Sequence, residues 1–272
     1  MSLQNKTIAF IGAGNMGEAL IRGLLAAQTM PPSRIIATDL RAERREFFTK
    51  TFGVRAIDDN AEAVKAADIV LLAVKPQQAA EVLAGFKTVM SDSKLIVSIA
   101  AGVTTATVER ALGGKARVVR VMPNTPALVG AGAAALAKGA YATDDDLTTA
   151  EAILGAVGIS VRVGEELLDA VTALSGSGPA YVFYVTEAMI KAGIAAGLDE
   201  ALAKKLAIQT VYGSAKLLVE SGEAPEALRR KVTSPGGTTE AALKVMTERK
   251  LEEIFTEAIQ AAKKRSRELS GS

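Results

Sequence analysis

The chain has 272 residues, 49% apolar and 23% charged, with 32 Lys and Arg against 30 Asp and Glu for a formal net charge of +2. That balance suits a soluble globular protein of one large or two ordinary domains, and it offers no broad electropositive field for nucleic acid or an anionic membrane. Cys and His are both absent, which excludes disulfides, thiolate nucleophiles and Ser-His-Asp or Cys-His catalysis, so no metal site is expected and any chemistry runs with little side-chain acid–base help.

The opening MSLQNKTIAF has no basic region followed by a long apolar run, so no secretory signal is expected and the cytoplasm is the default location. From there to about Val163, short β-branched runs alternate with helical stretches, the pattern of a parallel sheet covered on both faces. The expected strands are Thr7 to Ile11, Ile35 to Thr38, Ile69 to Ala73, Leu95 to Ser98, Val118 to Val121, Ala131 to Leu136 and Ser160 to Val163. Amphipathic helices are expected over Met16 to Ala27, Arg41 to Phe52 and Asp144 to Val157, the last capped by Thr143. Residues 1–163 therefore read as a doubly wound α/β, Rossmann-type domain.

After Gly164 the strand signals stop, and helical periodicity continues with breaks at Ser175 to Pro179, Gly197, Ser221 to Pro225 and Ser234 to Gly237. Residues 164–272 read as an all-helical second domain. Its segment Ala180 to Ala196 is apolar nearly all round, with Tyr181, Val182, Phe183, Tyr184, Val185, Met189 and Ile194. A domain of this size buries such a helix poorly by itself, so subunits are expected to pack through it as a homodimer. The uncharged stretches Val121 to Ala137 and Ala170 to Thr186 are interrupted by Pro or Gly and fall short of a membrane span.

The stretch Ile8 to Gly17 reads IAFIGAGNMG and places Gly-x-Gly-x-x-Gly directly after a strand and at the mouth of a helix. Gly12 permits the tight turn, Gly14 lets backbone approach a pyrophosphate, and Gly17 lets the helix pack close to the strand. A second strand ends at Asp39, about twenty residues on, where a carboxylate accepts the ribose hydroxyls of NAD. Arg41, Arg44 and Arg45 follow at once. A guanidinium there suits the 2′-phosphate of NADP, whereas the same arginines also fit the solvated face of the next helix, so a dinucleotide is expected with NADP or NAD left open. Three more loops end successive strands and converge on the same crevice: Ala73-Val74-Lys75-Pro76, Ala100-Ala101-Gly102 and Met122-Pro123-Asn124-Thr125-Pro126.

In the helical half, SGSGPAY runs from Ser175 to Tyr181 and SPGGTT from Ser234 to Thr239. Serine, two glycines and two threonines ahead of a helical run make a small anion-binding nest, although the string alone reads equally as the capped start of a helix. With GAGNMG, AVKP, AAGVT and MPNTP in this order, these strings resemble pyrroline-5-carboxylate reductase, which completes proline synthesis, over nearly the whole chain. The resemblance implies dinucleotide contacts at Ile11, Gly12, Ala13, Gly14, Asn15, Met16 and Gly17, at Asp39 and Asn60, at Ala73, Val74, Lys75 and Pro76, and at Ala100 and Ala101, with Asn124 helping to order the nicotinamide end. It implies substrate contacts at Ser234, Gly236, Gly237, Thr238 and Thr239, with the Thr239 hydroxyl facing the imine. It also implies that dimers gather into a larger ring.

A cyclic imine carboxylate suits a protein without histidine, because its nitrogen arrives protonated and the carbon is already electrophilic. Two other classes share parts of this pattern. A hydroxyacid reductase of the same architecture would resemble its kin in a catalytic lysine early in the helical domain, and Lys191 stands at an awkward distance behind SGSGPAY. A dinucleotide sensor without enzymatic activity would not need the SPGGTT nest.

Overall fold

The computed structural model describes residues 3–270. Four apolar runs, β1 (Ile8–Ile11), β2 (Ile35–Thr38), β4 (Ile69–Leu72) and β5 (Leu95–Ser98), are buried at every residue, as strands covered on both faces must be. They combine with β3 (Arg55–Ile57), β6 (Arg117–Met122), β7 (Gly132–Lys138) and β8 (Gly158–Arg162) into one eight-stranded sheet of order β3-β2-β1-β4-β5-β6-β7-β8. Successive side chains of β1 go to opposite faces. Ile8 and Phe10 join Leu20, Leu24, Phe48 and Leu71 in one core, while Ala9 and Ile11 join Val70, Leu72, Leu83 and Phe86 in another. Each such large side chain, fully buried, contributes about 1.5–3 kcal/mol.

The strand order reverses between β1 and β4, and the loops at the carboxyl ends of these strands border the crevice that this reversal opens. The helices that follow the strands are α1 (Asn15–Ala26), α2 (Ala42–Phe52), α3 (Asn60–Ala66), α4 (Ala79–Phe86), α5 (Thr105–Leu112) and α6 (Asp144–Leu154). Thr143 caps α6 through a reciprocal capping box with Asp146. The helix expected to reach Val157 stops at Leu154 and finishes in a 3₁₀ turn, Gly155–Val157.

Two features differ from the sequence expectation. The edge strand β3 carries no alternating or β-branched run, and it forms because β2 offers a free edge to three half-exposed residues. The sheet is not wholly parallel, since β7 pairs antiparallel to β6. The connection over residues 123–131 is shorter than the roughly dozen residues that a parallel crossover needs, so the chain turns straight back. The β8 strand then runs parallel to β7.

The remaining helices are α7 (Leu168–Val171), α8 (Gly178–Ala195), α9 (Glu200–Ser221), α10 (Pro225–Lys231), α11 (Thr238–Glu248) and α12 (Leu251–Ser270), with a π-helical turn at Thr172–Gly176 after α7. Packing divides the chain into two compact units: residues up to Ser177 together with those from Ala262 onward, and Gly178–Ala261. Strand signals end near residue 163, yet residues 164–177 stay with the sheet because Leu168, fully buried, packs on Ala135 and Ala137 of β7.

In the second unit α8 lies against α9 and has no buried residue. Phe183 and Tyr184 are 62% and 72% exposed, and Val182, Val185, Met189 and Ile194 are exposed beside them. An apolar surface of that extent needs a covering partner. Among the described residues no helix is long and apolar enough to cross a membrane. Phe183→Glu is expected to weaken self-association by about 2 kcal/mol or more and to lower the mass found by light scattering; an unchanged mass would remove α8 from the contact.

Candidate active site

The chain leaves β1 at Ile11 and enters α1 at Asn15 through a turn that only glycine permits. Gly12 has φ of +99°, and a Cβ there would stand 2.9 Å from the Ala73 carbonyl oxygen and 3.1 Å from Val74 Cγ1. A Cβ on Gly17 would stand 2.9 Å from the Gly12 carbonyl oxygen, so α1 approaches β1 backbone to backbone. The Gly12 and Ala13 amides donate to the Thr38 carbonyl at 3.2 and 2.8 Å, which locks the turn onto the end of β2. Asn15, Met16 and Gly17 form the first turn of α1, whose amides find no carbonyl within the helix, and Gly14 before them has no side chain to cap them. No atom lies within 4 Å of a Cβ built on Gly14. Open space over unsatisfied amides at a positive helix end fits a dinucleotide pyrophosphate.

Beside this turn a cleft of about 900 Å³ is lined by Gly12, Thr38, Asp39, Arg41, Asn60 and Val74. The Thr38 hydroxyl donates to Asn60 Oδ1 at 2.6 Å, and the Asp39 amide donates to the Ile57 carbonyl at 3.2 Å, so the short strand β3 places this corner. Arg41 grips the Asp39 carboxylate at 3.0 Å with its backbone amide and Nε on Oδ1 and with Nη2 on Oδ2. Burial pushes the Asp39 carboxyl up, but the hydrogen bonds from Arg41 and the charges of Arg41 and Arg44 outweigh it and hold the group below its ordinary value.

The three arginines after Asp39 divide their work. Arg44 donates to the Ala13 carbonyl at 2.8 and 3.1 Å and to Glu18 at 3.0 Å, with its guanidinium over the rings of Phe47 and Phe48. It braces the glycine turn. Arg45 donates to the Asp39 and Leu40 carbonyls at 2.9 and 2.8 Å. Arg41, with its side chain 58% exposed, is the one of the three that lines the cleft.

On the other side of the crevice, the Ala73 amide donates to the Ile11 carbonyl at 2.9 Å, and Val74, Lys75 and Pro76 lead into a short 3₁₀ turn. Ala100 is buried and Ala101 exposed in the turn after β5, where Gly102 has φ of +74°. Asn124 commits both ends of its amide to the scaffold: Oδ1 accepts from the Ala133 amide at 2.8 Å, and Nδ2 donates to the Ser175 carbonyl at 3.1 Å. The latter bond ties the MPNTP turn to the start of SGSGPAY.

In the second unit, residues 234–239 form a tight turn into α11. The Gly237 amide donates to the Ser234 carbonyl at 3.0 Å, Gly236 has φ of +71°, and the Gly236 amide donates to the Glu240 carboxylate at 2.8 Å. Glu240 thus reaches back across the first turn of α11 to one amide of this loop. The first-turn amides of Thr238 and Thr239 have no partner within the helix, and no protein group among the described residues takes the hydroxyls of Ser234, Thr238 or Thr239. Sequence reasoning missed Thr38 and Glu240 and took Arg44 as a phosphate ligand or a solvated side chain; Thr38 and Arg44 take their roles from partners brought in by the fold, whereas Glu240 reaches back only four residues.

A glycine turn at the order reversal of a β3-β2-β1-β4-β5-β6 sheet, with unsatisfied amides and an acid after β2, defines a Rossmann-type dinucleotide-binding protein. Residues 7–102 match a family model described as NADP oxidoreductase, coenzyme F420-dependent, and residues 165–269 match one described as pyrroline-5-carboxylate reductase dimerisation. Pyrroline-5-carboxylate reductase of Methanosarcina acetivorans is 44% identical over 98% of this chain and 99% of its own, and that of Arabidopsis thaliana 42% identical over 97% and 96%. Among solved structures, a pyrroline-5-carboxylate reductase from Coxiella burnetii superposes with a TM-score of 0.94 at 41% identity, covering 98% of this chain and 99% of that one. Plasmodium falciparum pyrroline carboxylate reductase with NADP bound gives 0.86 at 31%, over 98% and 99%. The chain belongs to the pyrroline-5-carboxylate reductase family.

Asp39→Ser is expected to lower kcat/KM for NADH about tenfold while sparing NADPH; an unmoved ratio between the two would clear Asp39 of any role in the choice. Protonation would remove the charge of Asp39 and turn one of its acceptor oxygens into a donor, and the hydrogen bonds and charges of Arg41 and Arg44 hold the carboxyl below its ordinary value. NADH affinity, followed by fluorescence titration, is therefore expected to stay level from about pH 5 upward and to fall only in stronger acid.

Proposed function

We propose that this chain reduces 1-pyrroline-5-carboxylate to L-proline, the last step of proline biosynthesis, with NAD(P)H supplying the hydride when bound. The observation that carries the reading is the nest at residues 234–239, built from amides and hydroxyls at the start of α11, in a chain of this family that also has the glycine turn. Ser234, Gly236, Gly237, Thr238 and Thr239 hold the substrate carboxylate with neutral donors at a positive helix end. Thr239 Oγ1 accepts a hydrogen bond from the ring N–H when the imine arrives protonated, and the nitrogen keeps that proton as hydride reaches the adjacent carbon. No histidine is needed, because the imine is protonated before it binds and positioning supplies most of the rate.

Residues 11–17 cradle the pyrophosphate, Asp39 and Asn60 face the adenosine end, and residues 73–76 with Ala100 and Ala101 face the nicotinamide. Asn124 acts from behind that end, by holding the MPNTP turn in place. Residues 1–163 serve as the cofactor domain and 164–272 as the dimerisation and substrate domain, although the stretches up to Ser177 and from Ala262 onward pack with the sheet. The exposed apolar face of α8 supports a homodimer, and the same reading extends to dimers gathered in a ring.

The direct test mixes the protein with NADPH and 1-pyrroline-5-carboxylate and follows the absorbance of the reduced nicotinamide; a steady signal would overturn the activity. Thr239→Val keeps the shape and removes the hydroxyl. It is expected to cost about 1–3 kcal/mol of transition-state stabilisation, read chiefly in kcat, with KM little changed.

A further inference from the structure

The turn over residues 99–104 lies at the carboxyl end of β5, with Ile99 and Val103 packed against the two cores of the sheet domain. Its first amide, Ile99, donates to the Leu72 carbonyl at 3.0 Å, and Val103 donates back to Ala100 at 3.3 Å. Thr104, its last residue, caps α5 by accepting from the Thr107 amide at 3.2 Å, and further hydrogen bonds where it enters α5 come from far along the chain. Where the turn enters α5, the Thr105 amide donates to Glu165 Oε1 at 2.8 Å and the Thr105 hydroxyl donates to Oε2 at 2.5 Å. Arg120 Nη1 of β6 donates to the same Oε1 at 3.1 Å, with its side chain only 8% exposed. Glu165 thus places a carboxylate on the positive end of α5 and answers a buried guanidinium at once.

The last turns of α12, which belong to the same compact unit as the sheet, pass beside the turn. Ser266, buried, donates its hydroxyl to Asp169 Oδ1 at 2.6 Å, and Arg267 Nε lies 3.8 Å from Asp169 Oδ2. Anchored this way, the helix brings the Leu269 carbonyl oxygen to 3.4 Å from the place a Gly102 Cβ would occupy. Neither Glu165 nor Ser266 lines the cofactor cleft.

We propose that Glu165, with Arg120 and Thr105, and the Asp169–Ser266 contact of α12 are positioning groups that clamp the 99–104 turn and so set where the nicotinamide half of the dinucleotide rests. This depends on the reading above that Ala100 and Ala101 face the nicotinamide, which the place of the turn outside β5 supports. The clamp acts on one half of the cofactor only, since in the reading above the pyrophosphate is held at residues 11–17 and the adenosine end at Asp39 and Asn60, after β1 and β2 and at the start of α3, none of which Glu165 touches.

The test compares NADH with ADP-ribose, which carries the same adenosine and pyrophosphate but no nicotinamide, by titration calorimetry on the full chain. Glu165→Gln is expected to weaken NADH about fivefold and to leave ADP-ribose within about twofold of wild type. Ser266→Ala should give the same split with a smaller NADH change. Equal losses for both ligands, or no loss for either, would overturn the proposal. If Glu165→Gln does not fold, Thr105→Val removes one donor to the carboxylate while keeping the shape, and the same split is expected. Because neither titration contains the imine, failure of the clamp and failure of the proposed reaction give separate results.

Discussion

The close approach of α1 to β1 is the constraint on which the site depends. With 2.9 Å between the Gly12 carbonyl oxygen and the place of a Gly17 Cβ, and the same distance from a Gly12 Cβ to Ala73, there is room for backbone and nothing else. That approach turns three unsatisfied amides toward the crevice and stacks the ends of β1, β2 and β4 in one place. A methyl group at either glycine would lever the helix off the strand, and the anion site would be lost with it.

Charge around this turn is spent mostly on the protein itself. Arg44 braces the Ala13 carbonyl, Arg45 holds the carbonyls of Asp39 and Leu40, and Arg41 neutralises the Asp39 carboxylate. A run that reads as three candidate phosphate ligands becomes one exposed arginine beside one well-satisfied acid. The cofactor choice accordingly turns on the balance between Asp39 and Arg41, two groups that already satisfy each other.

Apolar surface is distributed unevenly between the two units. The sheet strands are buried on both faces within the chain, whereas α8 and α9 leave large side chains such as Phe183, Tyr184, Leu206 and Tyr212 exposed. The helical unit is therefore half of a core, and its completion by another copy accords with the dimerisation family that residues 165–269 match.

Much of this was legible without coordinates. The strands β1, β2, β4 and β5 are short apolar runs whose hydrophobicity demands burial, the glycine spacing after β1 has few other uses, and Thr143 with Asp146 announces its own helix start. These are local properties, written in neighbouring residues. Tertiary structure alone decided what depends on distant partners: β3 formed because an edge was free, and β7 reversed because its connection was too short to cross over. Arg44 and Asn124 brace carbonyls and amides of distant segments, Glu165 meets Thr105 from sixty residues away, and Ser266 meets Asp169 from ninety-seven. A polar side chain takes its role from the group it meets, and which group that is depends on how the whole chain closes.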